Sequence, residues 1–396
     1  MTYADGRLMH DADSHLMELP GCLDPYFQPS LLPRFHALES YQDKLRKMDW
    51  ADKARAQQAE ADFRTGAGDA IMLRKNYEAH GAFLREDRPA ALDAMGFASQ
   101  LVFTTFCLGN FGLDQSGDME LCYAAADAHN RMMMDFCAID RRLLPVAYIP
   151  LEDFARAEAS TKLAIELGAK ALMVPSLCPQ NHSPSHIGLY PVWELAQDAG
   201  IPVVFHVGGE EKLNPMYKEN GLPPVKDFHG GDDNFTSVSY MPIPNAAMQA
   251  MATLIFDGVW DRFEKLKWGA IELGSAWLPG WMRSMDSAAG AFTRNEDRLQ
   301  KLSARPSEIV QRQLRVAPYP HEDVGWVIEN SGENMIMFNS DFPHIEGGRH
   351  PLKRFDASIA HLPNEAKTAF FSGNFIDMMG KALPQDLHHP AHLRVA

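Results

Sequence analysis

Asp13 and His15 stand two apart in the opening segment HDADSHL, and further ligand-type residues recur far along the chain: His206 in IPVVFHVGG, Glu272 in AIELG and Asp341 in NSDFPH. Residues two apart on a strand share a face, so a D-x-H pair can turn a carboxylate oxygen and an imidazole nitrogen toward one ion. His206 and Asp341 would complete a set of two imidazoles and two carboxylates. That set suits zinc, manganese or iron and leaves positions open for water and substrate. Each residue alone has a plainer reading. A histidine after an apolar strand is ordinarily a hydrogen-bonded core residue, and SDFPH can be a helix-capping turn. The chemical reading rests on four ligand-type residues falling at three strand ends that a barrel would bring together.

The elements that would position them alternate in the manner of parallel β/α units. Strands are expected at 8–15, 96–106, 143–151, 170–176, 201–209, 267–273, 314–319 and 335–342. Helices are expected at 119–137, 153–167, 191–200, 245–264, 277–294 and 322–331, with Asp153 as an N-cap and Gly168 as a stop. Eight strands with this alternation give an α/β fold, a (β/α)₈ TIM-like barrel with helical and loop insertions, as a single domain over 1–396. Two stretches interrupt it. Residues 24–90, which include the charged helical pattern DKARAQQAEADFR, are expected as an insertion over one barrel face. The Gly/Pro/Asn-rich stretch 210–240 is expected as a long loop over the barrel mouth, where lids and binding loops are found.

Bulk properties narrow the function classes. The 396 residues are 46% hydrophobic and 22% charged, the balance of a soluble protein with a large core. A net charge of −15, from 37 basic and 52 acidic residues, argues against nucleic-acid binding, which relies on phosphate neutralisation. The five cysteines are scattered without CxxC spacing, consistent with reduced thiols. No apolar run approaches the roughly 20 residues that span a membrane, and the first residues lack a signal-peptide pattern. The expected location is therefore cytoplasmic, with a small-molecule substrate and neither nucleic acid nor membrane as partner.

At the candidate ligands the sequence resembles the amidohydrolase superfamily, in the branch that includes aminocarboxymuconate semialdehyde decarboxylase. The likeness rests on Asp11-Ala12-Asp13-Ser14-His15, VVFHVGG, MFNSDFPHIEG and the closing FFSGNFIDMMG, in the right order along nearly the whole chain. It implies one divalent metal held by Asp13, His15, His206 and Asp341, with zinc the first expectation and manganese or iron also suited. It further implies that Asp341 handles a proton of bound water, and a homodimer as the common assembly, with a hetero-oligomer as the variant. Two departures stand out. Asp13 replaces the first histidine of the branch's HxH, and Glu272 stands where the decarboxylases carry a histidine on the sixth strand. Glu272 can be a general base, an orienter of a ligand histidine, or a ligand to a second ion.

Other residues carry looser expectations. His344 can orient Asp341 or meet a substrate carboxylate, and Glu18 and His321 are pocket candidates. Trp277 and Trp281 fall on one helix face, for core packing or for lining an apolar substrate. The tail histidines His388, His389 and His392 have no clear metal role. Because the sixth-strand histidine is absent, the first functional expectation is hydrolysis of a small carboxylated or aromatic-derived compound by metal-bound hydroxide. Asp341, Glu272 and His344 would then be the catalytic groups. The alternatives are non-oxidative decarboxylation of an aromatic or muconate-type acid, oxygen chemistry at non-haem metal, and a non-enzymatic partner subunit.

Overall fold

In the computed structural model, which describes residues 2–38, 48–208, 213–223, 225 and 236–389, seven parallel strands lie side by side in sequence order. They are β1 (His10–Leu16), β2 (Ser99–Thr104), β3 (Leu143–Tyr148), β4 (Ala171–Met173), β5 (Val203–His206), β6 (Trp268–Ile271) and β7 (Leu314–Val316). Every strand residue is buried. Apolar runs such as VVF fit strands covered on both faces. β1 differs in composition: most of its residues are polar, yet all are buried.

The eighth strand expected at 335–342 is reduced to two parallel bridges, Val316 with Ile336 and Ser14 with Phe342. They nevertheless close the sheet on itself. Met337 N–H donates to Val316 O at 2.9 Å on one side, while Ala12 N–H donates to Phe338 O at 3.1 Å and His15 N–H to Phe342 O at 2.7 Å on the other. The fold is an α/β barrel of TIM type whose seam lies between this segment and β1. The segment cannot extend as a regular strand because Asp341 takes a left-handed backbone, with φ at 50°.

The outer helices are α1 (Met48–Ala59), α2 (Arg88–Met95), α3 (Met119–Cys137), α4 (Phe154–Leu167), α5 (Tyr190–Ala199), α6 (Asn245–Phe256), α7 (Leu278–Phe292) and α8 (Val324–Ser331). Asp153 caps α4 by accepting from Arg156 N–H at 2.9 Å, and Gly168 ends it in a left-handed conformation. The helix expected over 245–264 stops at Phe256 instead. Gly258 at φ 75° turns the chain before the single turn Val259–Arg262. Between sheet and helices, Trp268 of β6 stacks on Trp260 at 5.2 Å and tilts against Trp193 at 5.3 Å.

The charged pattern in the segment 24–90 forms α1 and the short helix Ala61–Thr65, broken where Glu60 is extended. Of the stretch 210–240, a turn at Pro215–Lys218 and a helix at Ser237–Tyr240 are described; most of the remainder, with His392 of the tail, lies outside the described residues. Among the described residues no helix is long and apolar enough to cross a membrane. All five cysteines are free thiols.

Candidate metal centre

The C-terminal ends of β1, β5, β6 and the closing segment converge on one buried cluster. His15 Nε2 lies 3.1 Å from Asp13 Oδ1, 3.6 Å from Glu272 Oε2 and 3.5 Å from Asp341 Oδ1. His206 Nε2 lies 3.5 Å from Asp13 Oδ1 and 3.3 Å from Glu272 Oε2. Donor atoms each about 2.1 Å from one ion stand roughly 3.0–3.4 Å apart, so these separations are close to the edges of a coordination polyhedron. Asp13, His15, His206 and Glu272 form one such group, and His15, Glu272, Asp341 and His344 a second that shares two members with it.

The hydrogen bonds around the imidazoles leave the inner nitrogens open. His15 Nδ1 donates to Thr104 O at 2.8 Å and His206 Nδ1 to Val207 O at 2.9 Å. A carbonyl only accepts, so each Nδ1 carries the proton and each Nε2 presents a lone pair inward. Both Nε2 atoms, Asp13 Oδ1 and both Asp341 oxygens are buried without an aligned hydrogen bond. Buried polar atoms are nearly always partnered, and five left open around one point fit a divalent cation.

Burial and mutual repulsion set the charges. Glu272 is pushed up to about 8 by burial and then by the Asp341 charge. Asp341 is pushed well above the carboxylate range by burial and by Asp13. Asp13 moves the other way, because His15 and His206 together outweigh its burial. Burial alone would pull His15 down, but the carboxylates of Asp13 and Glu272 raise it well above its ordinary value. The three carboxylates and His15 thus share protons that an ion would displace.

Backbone conformation aims the two late carboxylates. Glu272 and Asp341 both sit at positive φ, 53° and 50°, a strained choice for residues with a Cβ that is kept where function over-determines it. Tyr319 Oη donates to Glu272 O at 2.6 Å. Glu322 ties the β6 and β7 loops together by accepting from Ser275 N–H and Ala276 N–H at 2.9 Å and from Tyr319 N–H at 2.8 Å. Behind Asp341 the chain doubles back so closely that a Cβ on Gly347 would lie 2.2 Å from Ser340 O and 2.9 Å from Asp341 Cβ. His344 stacks on His15 with centroids 3.8 Å apart, its Nδ1 3.0 Å from Asp341 Oδ1 and its Nε2 hydrogen-bonded with the Thr105 hydroxyl at 2.8 Å.

The remaining candidates divide. Asp11 does not face the cluster: it accepts from Ser340 N–H at 2.7 Å, Ser340 Oγ at 2.6 Å and Gln100 Nε2 at 2.8 Å, clasping the barrel seam. Regular alternation would put Asp11 on the face of Asp13, two residues on, but the register of β1 against β2 is irregular between Asp11 and Ser14. Glu18 is spent on Thr105 N–H at 3.0 Å and Phe106 N–H at 2.9 Å. Trp277 donates to Gly274 O at 2.8 Å and packs edge-on against Trp281, a role in the β6 turn. His321 is exposed and stacks on Tyr319, with Tyr240 5.6 Å away. His388 and His389 are far from the cluster in character, partly buried and exposed on the tail.

Two cations were not legible in the sequence. Arg88, fully buried, donates to His15 O at 3.0 Å, Gly81 O at 3.2 Å and Ser14 Oγ at 3.1 Å, and lies over the Phe342 ring. Lys75 has a buried ammonium close enough to Asp341 to feel its charge. Neither belongs to a motif; an arginine heading a short apolar helix was the only available signal.

A parallel α/β barrel with a buried histidine–carboxylate cluster at its strand ends is an architecture of the amidohydrolase type, with side chains that could hold a metal ion. A family model described as amidohydrolase matches residues 79–378, and the chain belongs to that family. Curated proteins give no sequence match. Among solved structures, the chain is similar to an amidohydrolase of Mycobacterium avium subsp. paratuberculosis K-10, with 19% identity and a TM-score of 0.67 over 94% of this chain and 99% of that one. It is also similar to 5-carboxyvanillate decarboxylase of Novosphingobium aromaticivorans DSM 12444 in complex with manganese, with 17% identity and a TM-score of 0.63 over 96% and 97%. A third likeness is to 2,6-dihydroxybenzoate decarboxylase of Rhizobium, with 14% identity and a TM-score of 0.60 over 94% and 98%.

Proposed function

We propose that this chain is a metal-dependent, non-oxidative decarboxylase of a small aromatic acid. The carrying observation is Asp341: both its oxygens are buried without an aligned hydrogen bond, and one lies 3.5 Å from His15 Nε2. One oxygen can face an ion while the other carries a proton to a reacting carbon. Several solved barrels of this shape are decarboxylases of hydroxylated benzoic acids, two of them holding manganese, which supports this reading over the hydrolysis expected from the sequence.

Asp13, His15, His206 and Asp341 would hold one divalent ion, and Glu272 adds a carboxylate oxygen 3.3 Å from His206 Nε2 and 3.6 Å from His15 Nε2. The ion would supply Lewis acidity, drawing charge from the substrate oxygens as the carbon–carbon bond weakens. That bond breaks with its electron pair left on the ring carbon, carbon dioxide departs, and Asp341 delivers the proton that replaces it. His344, in contact with Asp341 Oδ1, steadies the carboxyl group. The rings of Tyr240, Tyr319 and His321 stand together on the Glu272 side and suit a planar substrate. Manganese is the better-supported ion, with zinc and iron as the other candidates.

The test is anaerobic incubation of manganese-loaded protein with a panel of hydroxybenzoic acids and benzenedicarboxylic acids. Carbon dioxide release with the matching decarboxylated product, abolished in Asp341→Asn, is expected. Cleavage of esters, amides or lactones without carbon dioxide would return the chain to the hydrolases, and activity only with oxygen uptake would sink both readings.

A further inference from the structure

Lys75 is the one lysine among the described residues whose Nζ is buried with neither a hydrogen bond nor an ion pair. The other lysine with a largely shielded ammonium, Lys267, is paired with Asp377 at 2.9 Å. Lys75 belongs to the segment between β1 and β2, and its place is fixed by its neighbour: Asn76 N–H donates to Pro343 O at 2.8 Å, two residues beyond Asp341. Asn76 takes a left-handed backbone there, with φ at 51°. The loop is therefore pinned to the rim of the metal centre, on the Asp341 side. The opposing charges that act on the ammonium are, in order, Asp341, Glu346 and Asp11.

A buried ammonium without a partner is costly. If Lys75 served only to neutralise Asp341, the flexible four-carbon stem could close an ion pair. Among the described residues no carboxylate oxygen lies within 4 Å of it, so its donors are free for an incoming group. Burial lowers Lys75 to about 8, which leaves it a cation at neutral pH.

We propose that Lys75 anchors a second anionic group of the substrate, the one that is not lost, so that the site selects dianionic aromatic acids over monoanionic ones. A monoanion whose only carboxylate is engaged at the ion leaves the ammonium unpaired. A dianion spans both positions and forms a charge-assisted hydrogen bond in a water-poor rim. This inference rests on the proposed aromatic-acid reading for the class of ligand, but it needs no turnover.

Calorimetric titration of manganese-loaded protein with isophthalate and with benzoate separates the outcomes. The wild type is expected to bind isophthalate about tenfold or more tightly than benzoate. Lys75→Met removes that preference, Lys75→Arg retains part of it, and manganese affinity is the same in all three proteins. Equal affinity for both acids in the wild type, or an unchanged preference in Lys75→Met, overturns the proposal. Loss of manganese in Lys75→Met also overturns it, because Lys75 would then support Asp341 rather than bind substrate. A preference that depends on Lys75 in a protein that releases no carbon dioxide would keep this inference and remove the decarboxylase reading.

Discussion

Glu272 is the residue at which this chain departs most from the pattern it resembles, and its environment gives it a measurable signature. Its carboxyl is raised from an ordinary 4.5 to about 8, first by burial and then by Asp341. A carboxyl raised by folding stabilises the protein while protonated. That contribution is complete below the ordinary value and is lost as the pH rises through the folded one. Asp341 and His15, both raised as well, push in the same direction. Buried His344 and His10 are lowered and oppose this below about pH 6.5, so metal-free protein is expected to melt at steadily lower temperature between about pH 6.5 and pH 8. The slope should be shallower in Glu272→Gln and should vanish or reverse with saturating manganese, since the ion displaces the same protons. Melting curves in chelator and in manganese across that range check this; a flat profile in chelator would mean that Glu272 ionises normally. The sequence displayed the ligand-type residues but not their protonation. Charge sharing among Asp13, Glu272 and Asp341 depends on distances between segments hundreds of residues apart.

At the scale of elements, what was legible followed local physics. β3, β5 and β6 are continuous apolar runs, α3 was found at its full span, and the Asp153 and Gly168 ends of α4 are local capping rules. What was not legible is how elements bear on one another. The register irregularity between Asp11 and Ser14 is a property of β1 against β2, and the truncated eighth strand follows from the turn at Asp341. Gly347 belongs to the same class. Its absent Cβ lets the 343–348 turn lie against Ser340 and Asp341, where any side chain would meet backbone at 2.2 Å. Gly347→Ala must displace either the turn or Asp341, and the turn is held by His344 N–H donating to Asp341 O at 2.7 Å and Gly348 N–H to Ile345 O at 2.9 Å. The expected result is a loss of manganese affinity of about 10- to 100-fold, the range for disturbing a ligand's support, with a far smaller change in melting temperature. Isothermal titration beside a melting curve reads both. A large stability loss with unchanged affinity would place the strain in the turn alone.

At the scale of the molecule, the cluster lies across the joint at which the closing segment meets β1. β1 through β7 are paired in parallel ladders, with one register irregularity between β1 and β2, whereas the closing segment meets β1 by one bridge, the Asp11–Ser340 clasp and a few backbone bonds such as Asp341 N–H to Asp13 O at 2.9 Å. The donors come from both sides of that joint: Asp13 and His15 from β1, Asp341 from the closing segment, and His206 and Glu272 from the opposite wall. An ion bound there cross-links the seam to the rest of the sheet, so its binding energy should appear as stability of the whole barrel rather than of one loop. At free manganese 100 times the dissociation constant, linkage gives about 2.7 kcal/mol. Unfolding entropy for a chain of this length is roughly 0.8 kcal/mol per degree, so the melting temperature should rise by about 3 °C. Hydrogen exchange locates the effect. Amides of β1 and of the closing segment, His15 and Asp341 among them, should gain protection together with β5 and β6 when manganese is added. Protection confined to the 343–348 turn would show that the ion organises only its own rim and leaves the seam to Asp11.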